Sequence, residues 1–283
     1  MKSILTNYHT HSHFCDGQEA PEKYVQKAIA LGFHSLGFSG HAPVLFANQF
    51  SIPDSKLIEY CSEIERLKTK YASQIHLYLA LEADYIPNKS YDFDYFRTQH
   101  KLDYIIGSIH LVTHPHSNQL WFIDGGEQAA WDKGLADVFG GDIRQAVAAF
   151  YQQTNRMIEA QTPEIIGHLD KIKMHNKNRL FTQQEDWYQN LVLETLSFIK
   201  EKNLVLEINT RGLYKGRSDE LFPSIPIIKI ADKMGIPLML NTDAHHPNEL
   251  TGFYFETKEL LKMAGIKELW HFSLAGWFSS PLD

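Results

Sequence analysis

The chain has 283 residues, 43% of them hydrophobic and 22% charged, with a net charge of −7. That length and balance fit a soluble globular fold with a large core, and they exclude a disordered or fibrous chain. The acidic total argues against a nucleic-acid surface, which is usually basic. Cys15 and Cys61 are the only cysteines and make no disulfide framework, so a reducing cytoplasm is the expected setting. The opening MKSILTNYHTH has no apolar run of signal-peptide length, and no segment approaches a membrane span.

Short apolar runs alternate with amphipathic stretches along the chain. SILTNY (3–8) is the first run, and PEKYVQKAIALG (21–32), with proline near its start and glycine at its end, predicts a helix. HSLGFSG (34–40) follows, and LIEYCSEIERLKTKYA (57–72) spaces its apolar residues at three and four, as a helix does. HLYLALEA (76–83) and DYIIGSIH (103–110) are the next two runs. Residues 113–141, THPHSNQLWFIDGGEQAAWDKGLADVFGG, break the rhythm and read as one long loop over the active face. Beyond it, helices are expected over 143–161, 183–202, 224–235 and 256–264, between the runs EIIGH (164–168), LVLEIN (204–209) and PLMLNT (237–242).

The seven runs are mostly apolar on both faces, as parallel strands covered by helices are. Such repetition implies a parallel sheet, either doubly wound or closed into a barrel. No linker or repeat divides the chain, so residues 1–283 are expected to form a single domain.

Polar residues gather where these strands should end. His9 and His11 follow the first run, with Asp16 five residues on; His41 follows the second, and Glu82 stands on the third. His110 ends the fourth, His168 the fifth, and Asp243 with His245 the seventh. In α/β barrels that end builds the active site. Residues two apart on an extended chain point the same way, so His9 pairs with His11 and Asp243 with His245. His13 points oppositely and is expected to stand aside. Imidazoles and carboxylates without a cysteine cluster suit Zn, Fe or Mn, and nine ligands suit two or three ions with positions left open for catalysis.

The motifs HTHSHFCDG, SGHAP, LEADY, GSIH, IIGHLDK and NTDAHHP resemble the polymerase-and-histidinol-phosphatase (PHP) family over nearly the whole chain. FCDG, the Trp-bearing loop after GSIH and LEINTRGLYK are most similar to its stand-alone branch acting on histidinol phosphate in histidine biosynthesis. The resemblance implies a distorted (β/α)7 barrel and a phosphomonoesterase. It implies one ion on His9, His11, Glu82 and Asp243, a second sharing Glu82 with His110 and His168, and a third on Asp16, His41 and His245. At Asp16 some members carry histidine instead.

Paired metals lower the pKa of bound water and clamp both oxygens of an in-line displacement. Glu82 could bridge two ions because a carboxylate has two oxygens, and Asp243 or His245 could carry protons. Arg211 could grip phosphoryl oxygens with its fork, assisted by Lys215. Trp121, Phe122, Asp124 and Trp131 of the loop, with Asp84 after the metal glutamate, could receive the imidazole and ammonium of the alcohol. The expected partner is a small phosphate ester, without nucleic acid or membrane. A nucleic-acid phosphoesterase would need a basic track that is missing from the sequence, and an amidohydrolase usually carries a lysine where His110 stands.

Overall fold

Seven strands lie side by side in chain order and all run parallel: β1 (Thr6–Asn7), β2 (Ser35–Phe38), β3 (His76–Asp84), β4 (Tyr104–Ser108), β5 (Ile165–Ile166), β6 (Val205–Asn209) and β7 (Leu238–Asn241). This arrangement belongs to a computed structural model describing residues 4–282; Ser3 of the first run lies outside the described residues, as does Asp283. The sheet curls until its edges meet. Thr10 bridges Ala244, His11 N donates to Ala244 O at 2.8 Å, and Ala244 N donates to His9 O at 3.2 Å. The result is a nearly closed seven-stranded barrel, so the closed alternative holds and the doubly wound one does not.

Parallel neighbours need long crossovers, and helices supply them: α1 (Pro21–Leu31), α2 (Asp54–Lys70), α3 (Phe93–His100), α4 (Gln128–Phe139), α5 (Ile143–Gln161), α6 (Asp186–Glu201), α7 (Arg211–Tyr214), α8 (Ile225–Lys233) and α9 (Tyr254–Met263). α1 ends at Gly32, whose φ of +78° is the left-handed cap that glycine adopts without strain. α3 and α4 were not expected. The stretch read as a long loop is an antiparallel hairpin, Leu111–Thr113 with Leu120–Phe122, followed by α4. Trp121 and Trp131 pack ring to ring at 4.8 Å, both buried, and this contact binds hairpin to helix.

Alternation fixes what faces the barrel axis. Tyr78, Ala80 and Glu82 share a face of β3; Tyr104, Ile106 and Ser108 share one of β4; Val205, Glu207 and Asn209 share one of β6. The lower members join Tyr8, Ile165 and Met239 in an inner apolar cluster, and the polar members stand above it. A second hairpin, Glu268–Ser273 with Gly276–Pro281, closes the barrel from below. Its Phe272 meets the rings of Tyr78 and Tyr104 at 5.1 and 5.5 Å, and the Tyr8 hydroxyl donates to Phe272 O at 2.9 Å. Tyr104 donates in turn to Tyr8 O at 2.6 Å, so these buried hydroxyls are satisfied.

Candidate metal centre

All nine residues at the strand ends converge. Four groups place their ligand atoms within 4.8 Å of one another: His11, Asp16, His41 and His245; His9, His11 and Asp243; His41, Asp84 and His110; and Glu82, His110 and His168. Glu82 is the hub, and its two oxygens face different sets. Oε2 lies 3.2 Å from His9 Nε2, 3.4 Å from His11 Nε2 and 3.1 Å from His41 Nδ1. Oε1 lies 2.8 Å from His168 Nε2 and 3.6 Å from His110 Nε2, and accepts from Ser108 Oγ at 2.6 Å. Asp16 is the exposed member, 34% accessible, 3.3 Å from His245 Nε2 and 3.7 Å from His41 Nε2. His13 stacks on Phe14 at 4.5 Å and faces solvent.

Two site residues have left-handed backbones, His168 at φ +22° and Asp243 at φ +53°. Such conformations are costly for side chains with a Cβ and persist where surroundings hold them. Gly167 beside them has no room for a side chain, since a Cβ there would sit 2.4 Å from Ser108 Oγ.

Whether this constellation suits a metal can be read from its unsatisfied atoms. His9 Nε2, His11 Nε2, His41 Nδ1 and Asp243 Oδ1 are buried without a hydrogen-bond partner. Each such atom costs about 1–3 kcal/mol. His9 Nε2 and His11 Nε2 lie 3.7 and 3.3 Å from Asp243 Oδ1, and imidazole nitrogens set around a carboxylate oxygen are the kind of donor set a divalent cation takes. The residues fit.

Charge in the cluster is tightly balanced. Burial would push His9 down, but Glu207, Asp243 and Glu82 hold it up at about 10. His110 is likewise raised to about 9 by Asp84 and Glu82 against its burial. Burial wins at His41, which falls to about 4. Glu82 and Asp243 lie well below the usual carboxylate range because the surrounding histidines outweigh desolvation.

The residues expected to meet substrate divide. Arg211 begins α7, and its Nη1 donates to Asp243 O at 2.9 Å, beside the cluster. Asp124 lies 2.9 Å from Lys171 Nζ and 3.9 Å from His110 Nε2. A small cavity joins Asp124, Lys171, Asn209, Arg211, Arg217 and Phe222. Lys215 is engaged by Glu249 on the rim. Trp121 is a correction: it is 1% exposed and its indole N–H donates to Trp131 O at 3.1 Å. Strand alternation turns Trp121 inward and Phe122 outward, and Phe122 stacks on Phe50 at 6.4 Å. Phe50 stands edge-on to His41 at 5.5 Å. Trp131 is equally buried. Asp84 turns away from any ammonium, since it accepts from His110 N at 2.8 Å and from its Nδ1 at 3.0 Å.

The sequence reading did not single out buried Glu207 and Lys171 or, half-buried at the rim, Glu249, which accepts from His245 N at 2.8 Å. Glu207 left a signal. A glutamate in the middle of LVLEIN, on an otherwise apolar strand, is a charge that must be paired.

Residues 7–211 match the PHP domain. The histidinol-phosphatase of Lactococcus lactis is 27% identical over 279 residues, 96% of this chain and 95% of that one. Two crystal structures share the fold. A candidate histidinol phosphatase of Listeria monocytogenes has a TM-score of 0.77 at 23% identity, covering 88% of this chain and 99% of its own. The histidinol phosphate phosphatase of L. lactis, complexed with Zn, L-histidinol and phosphate, has a TM-score of 0.68 at 22% identity, covering 98% and 100%.

Proposed function

The chain belongs to the PHP domain family, and from that premise we propose that it is a metal-dependent phosphomonoesterase hydrolysing L-histidinol phosphate to L-histidinol and phosphate in histidine biosynthesis. One observation carries the chemistry: unpartnered imidazole and carboxylate atoms converge around a glutamate whose two oxygens face different ligand sets. The substrate comes from relatives that carry this name and cover nearly the whole chain.

In this reading His9, His11, Glu82 and Asp243 hold one ion, Glu82, His110 and His168 a second, and Asp16, His41 and His245 a third. Zinc, iron or manganese would suit these atoms. Bound there, such ions supply Lewis-acid charge for the phosphoryl group and water acidic enough to ionise near neutral pH.

The protein's own groups do the rest. Arg211 has spent only Nη1 on Asp243 O, Tyr214 and Glu249, which leaves the other guanidinium nitrogens for phosphoryl oxygens. Lys171, 3% exposed, adds fixed positive charge in the same cavity. Such preset charge stabilises what develops in the transition state without reorganising. Asp243 and His245, whose Nδ1 lies 3.1 Å from Asp243 O, would carry protons in this reading. The alcohol portion would lie between the Phe50–Phe122 pair and Asp124, giving an imidazole a flat wall and a cation a carboxylate.

The partner is thus a small ester, with no nucleic acid. Among the described residues no helix is long and apolar enough to cross a membrane, and two free thiols suit a reducing cytoplasm. The test is phosphate release from L-histidinol phosphate beside other monoesters and a phosphodiester, before chelation and after reloading with Zn, Mn or Fe. Metal-dependent preference for histidinol phosphate is expected. Equal rates on generic esters would discard the substrate, and better hydrolysis of the diester would favour a nucleic-acid role.

A further inference from the structure

Glu207 is fully buried in the middle of β6 and accepts four hydrogen bonds. Its Oε1 accepts from His9 Nδ1 at 2.7 Å and from Asn241 Nδ2 at 3.0 Å. Its Oε2 accepts from the backbone N of His168 at 2.9 Å and from Asn209 Nδ2 at 3.1 Å. Four donors use the four lone-pair directions of a carboxylate, which leaves none for a metal. Glu207 is therefore a support and not a ligand.

What it supports is unusual, because its contacts belong to two ligand sets. His9 groups with His11 and Asp243, whereas His168 groups with Glu82 and His110. With its Nδ1 held by Glu207, His9 turns its Nε2 into the cluster, where that atom is buried and unpartnered. At His168 the hold is on the backbone, at the left-handed φ of +22°. Asn209 extends the same network by donating to Asp243 Oδ2 at 3.2 Å.

We infer that Glu207 is a positioning residue that joins the two neighbouring metal positions into one unit, so that both gain or lose affinity together. This rests on the metal reading above. Asp84 is the contrast, since its contacts to His110 serve one position only.

The experiment is zinc uptake by the full chain, read as zinc per chain and affinity against a competing chelator, for wild type, Glu207→Gln and Asp84→Asn. A glutamine sets an NH2 against either the His9 and Asn241 donors or the His168 and Asn209 donors, and the charge is lost in both cases. Outer partners of metal ligands typically carry about 10–100-fold in affinity. Glu207→Gln is expected to weaken both positions by that factor in parallel, and Asp84→Asn to weaken one. A fall below about tenfold in Glu207→Gln, or a loss confined to one position, overturns the inference.

Ring-15N spectra of zinc-loaded wild type decide the matter without any variant. The His9 proton on Nδ1 supports the inference, and a proton on Nε2 overturns it. A wild type that takes up no zinc overturns the metal reading and this inference with it. Normal uptake in wild type with an unaffected Glu207→Gln overturns the inference alone.

Discussion

Replacing Gly167 by alanine tests how the backbone of β5 protects the hub of the metal cluster. The added Cβ would lie 2.4 Å from Ser108 Oγ and 3.0 Å from Ile106 Cγ2. The hydroxyl must move, and it is the group that donates to Glu82 Oε1 at 2.6 Å. Overpacking of this kind costs about 1–3 kcal/mol, and a hydrogen bond to a charged group is worth about 1.5–3 kcal/mol. Ser108→Ala alone should cost the second amount. Because the clash in Gly167→Ala is chiefly with the Ser108 hydroxyl, removing that oxygen relieves it. The double variant should therefore cost less than the sum of the singles, by about 0.5–3 kcal/mol. The assay is urea unfolding in excess chelator, so that metal binding does not enter. Coincident fluorescence and circular dichroism transitions are required before free energies are read. Strict additivity, to within about 0.3–0.5 kcal/mol, would refute the argument.

Loading metal should release protons. His9 at about 10 and His110 at about 9 are charged near neutrality in the metal-free protein. Ligands must be neutral, so these rings alone give about two protons per chain near neutral pH; calorimetry in buffers of different ionisation enthalpy should detect them, and a heat independent of buffer would contradict this. Since both values are raised on folding, their stabilising charge is complete below the ordinary imidazole range and is lost as pH rises through 9 to 10. The melting temperature of the chelated protein should fall over that window. Phe50→Ala and Phe122→Ala should each lower kcat/KM for histidinol phosphate by about 2–10-fold, the scale of a lost aromatic pair, and spare a small aliphatic monoester; equal losses on both esters would remove the wall from the specificity. His110→Ala should abolish turnover and His13→Ala should leave it, and a His13→Ala enzyme without metals would break that division.

The converging set of histidines and carboxylates was legible because metal chemistry restricts residue type, and barrel topology restricts place. A histidine at a strand end needs no side-chain packing to be noticed. The helices were legible where period and punctuation agreed, as in α5, which spans the expected 143–161. α4 was not, because a segment rich in small residues and glycine shows its helical face only once Trp121 supplies something to pack against. Trp121 itself illustrates what composition hides. An aromatic beside an active site reads as a wall until the strand's alternation decides which of two neighbours faces out. The roles of Glu207 and Asp84 were hidden for another reason: they lie in hydrogen bonds to residues of other strand ends, which no local pattern encodes.

The seam of the barrel has a consequence for how the molecule comes into being. Tyr8 N donates to Asn241 Oδ1 at 2.8 Å and Thr242 N to Asn7 Oδ1 at 2.8 Å, and the Tyr8 hydroxyl waits for Phe272. More than half the chain separates His9 and His11 from Asp243 and His245. Contacts so distant along the chain form slowly, because loop closure must be met before they contribute. Under the metal reading proposed above, retention of an ion depends on β7 closing the ring onto β1.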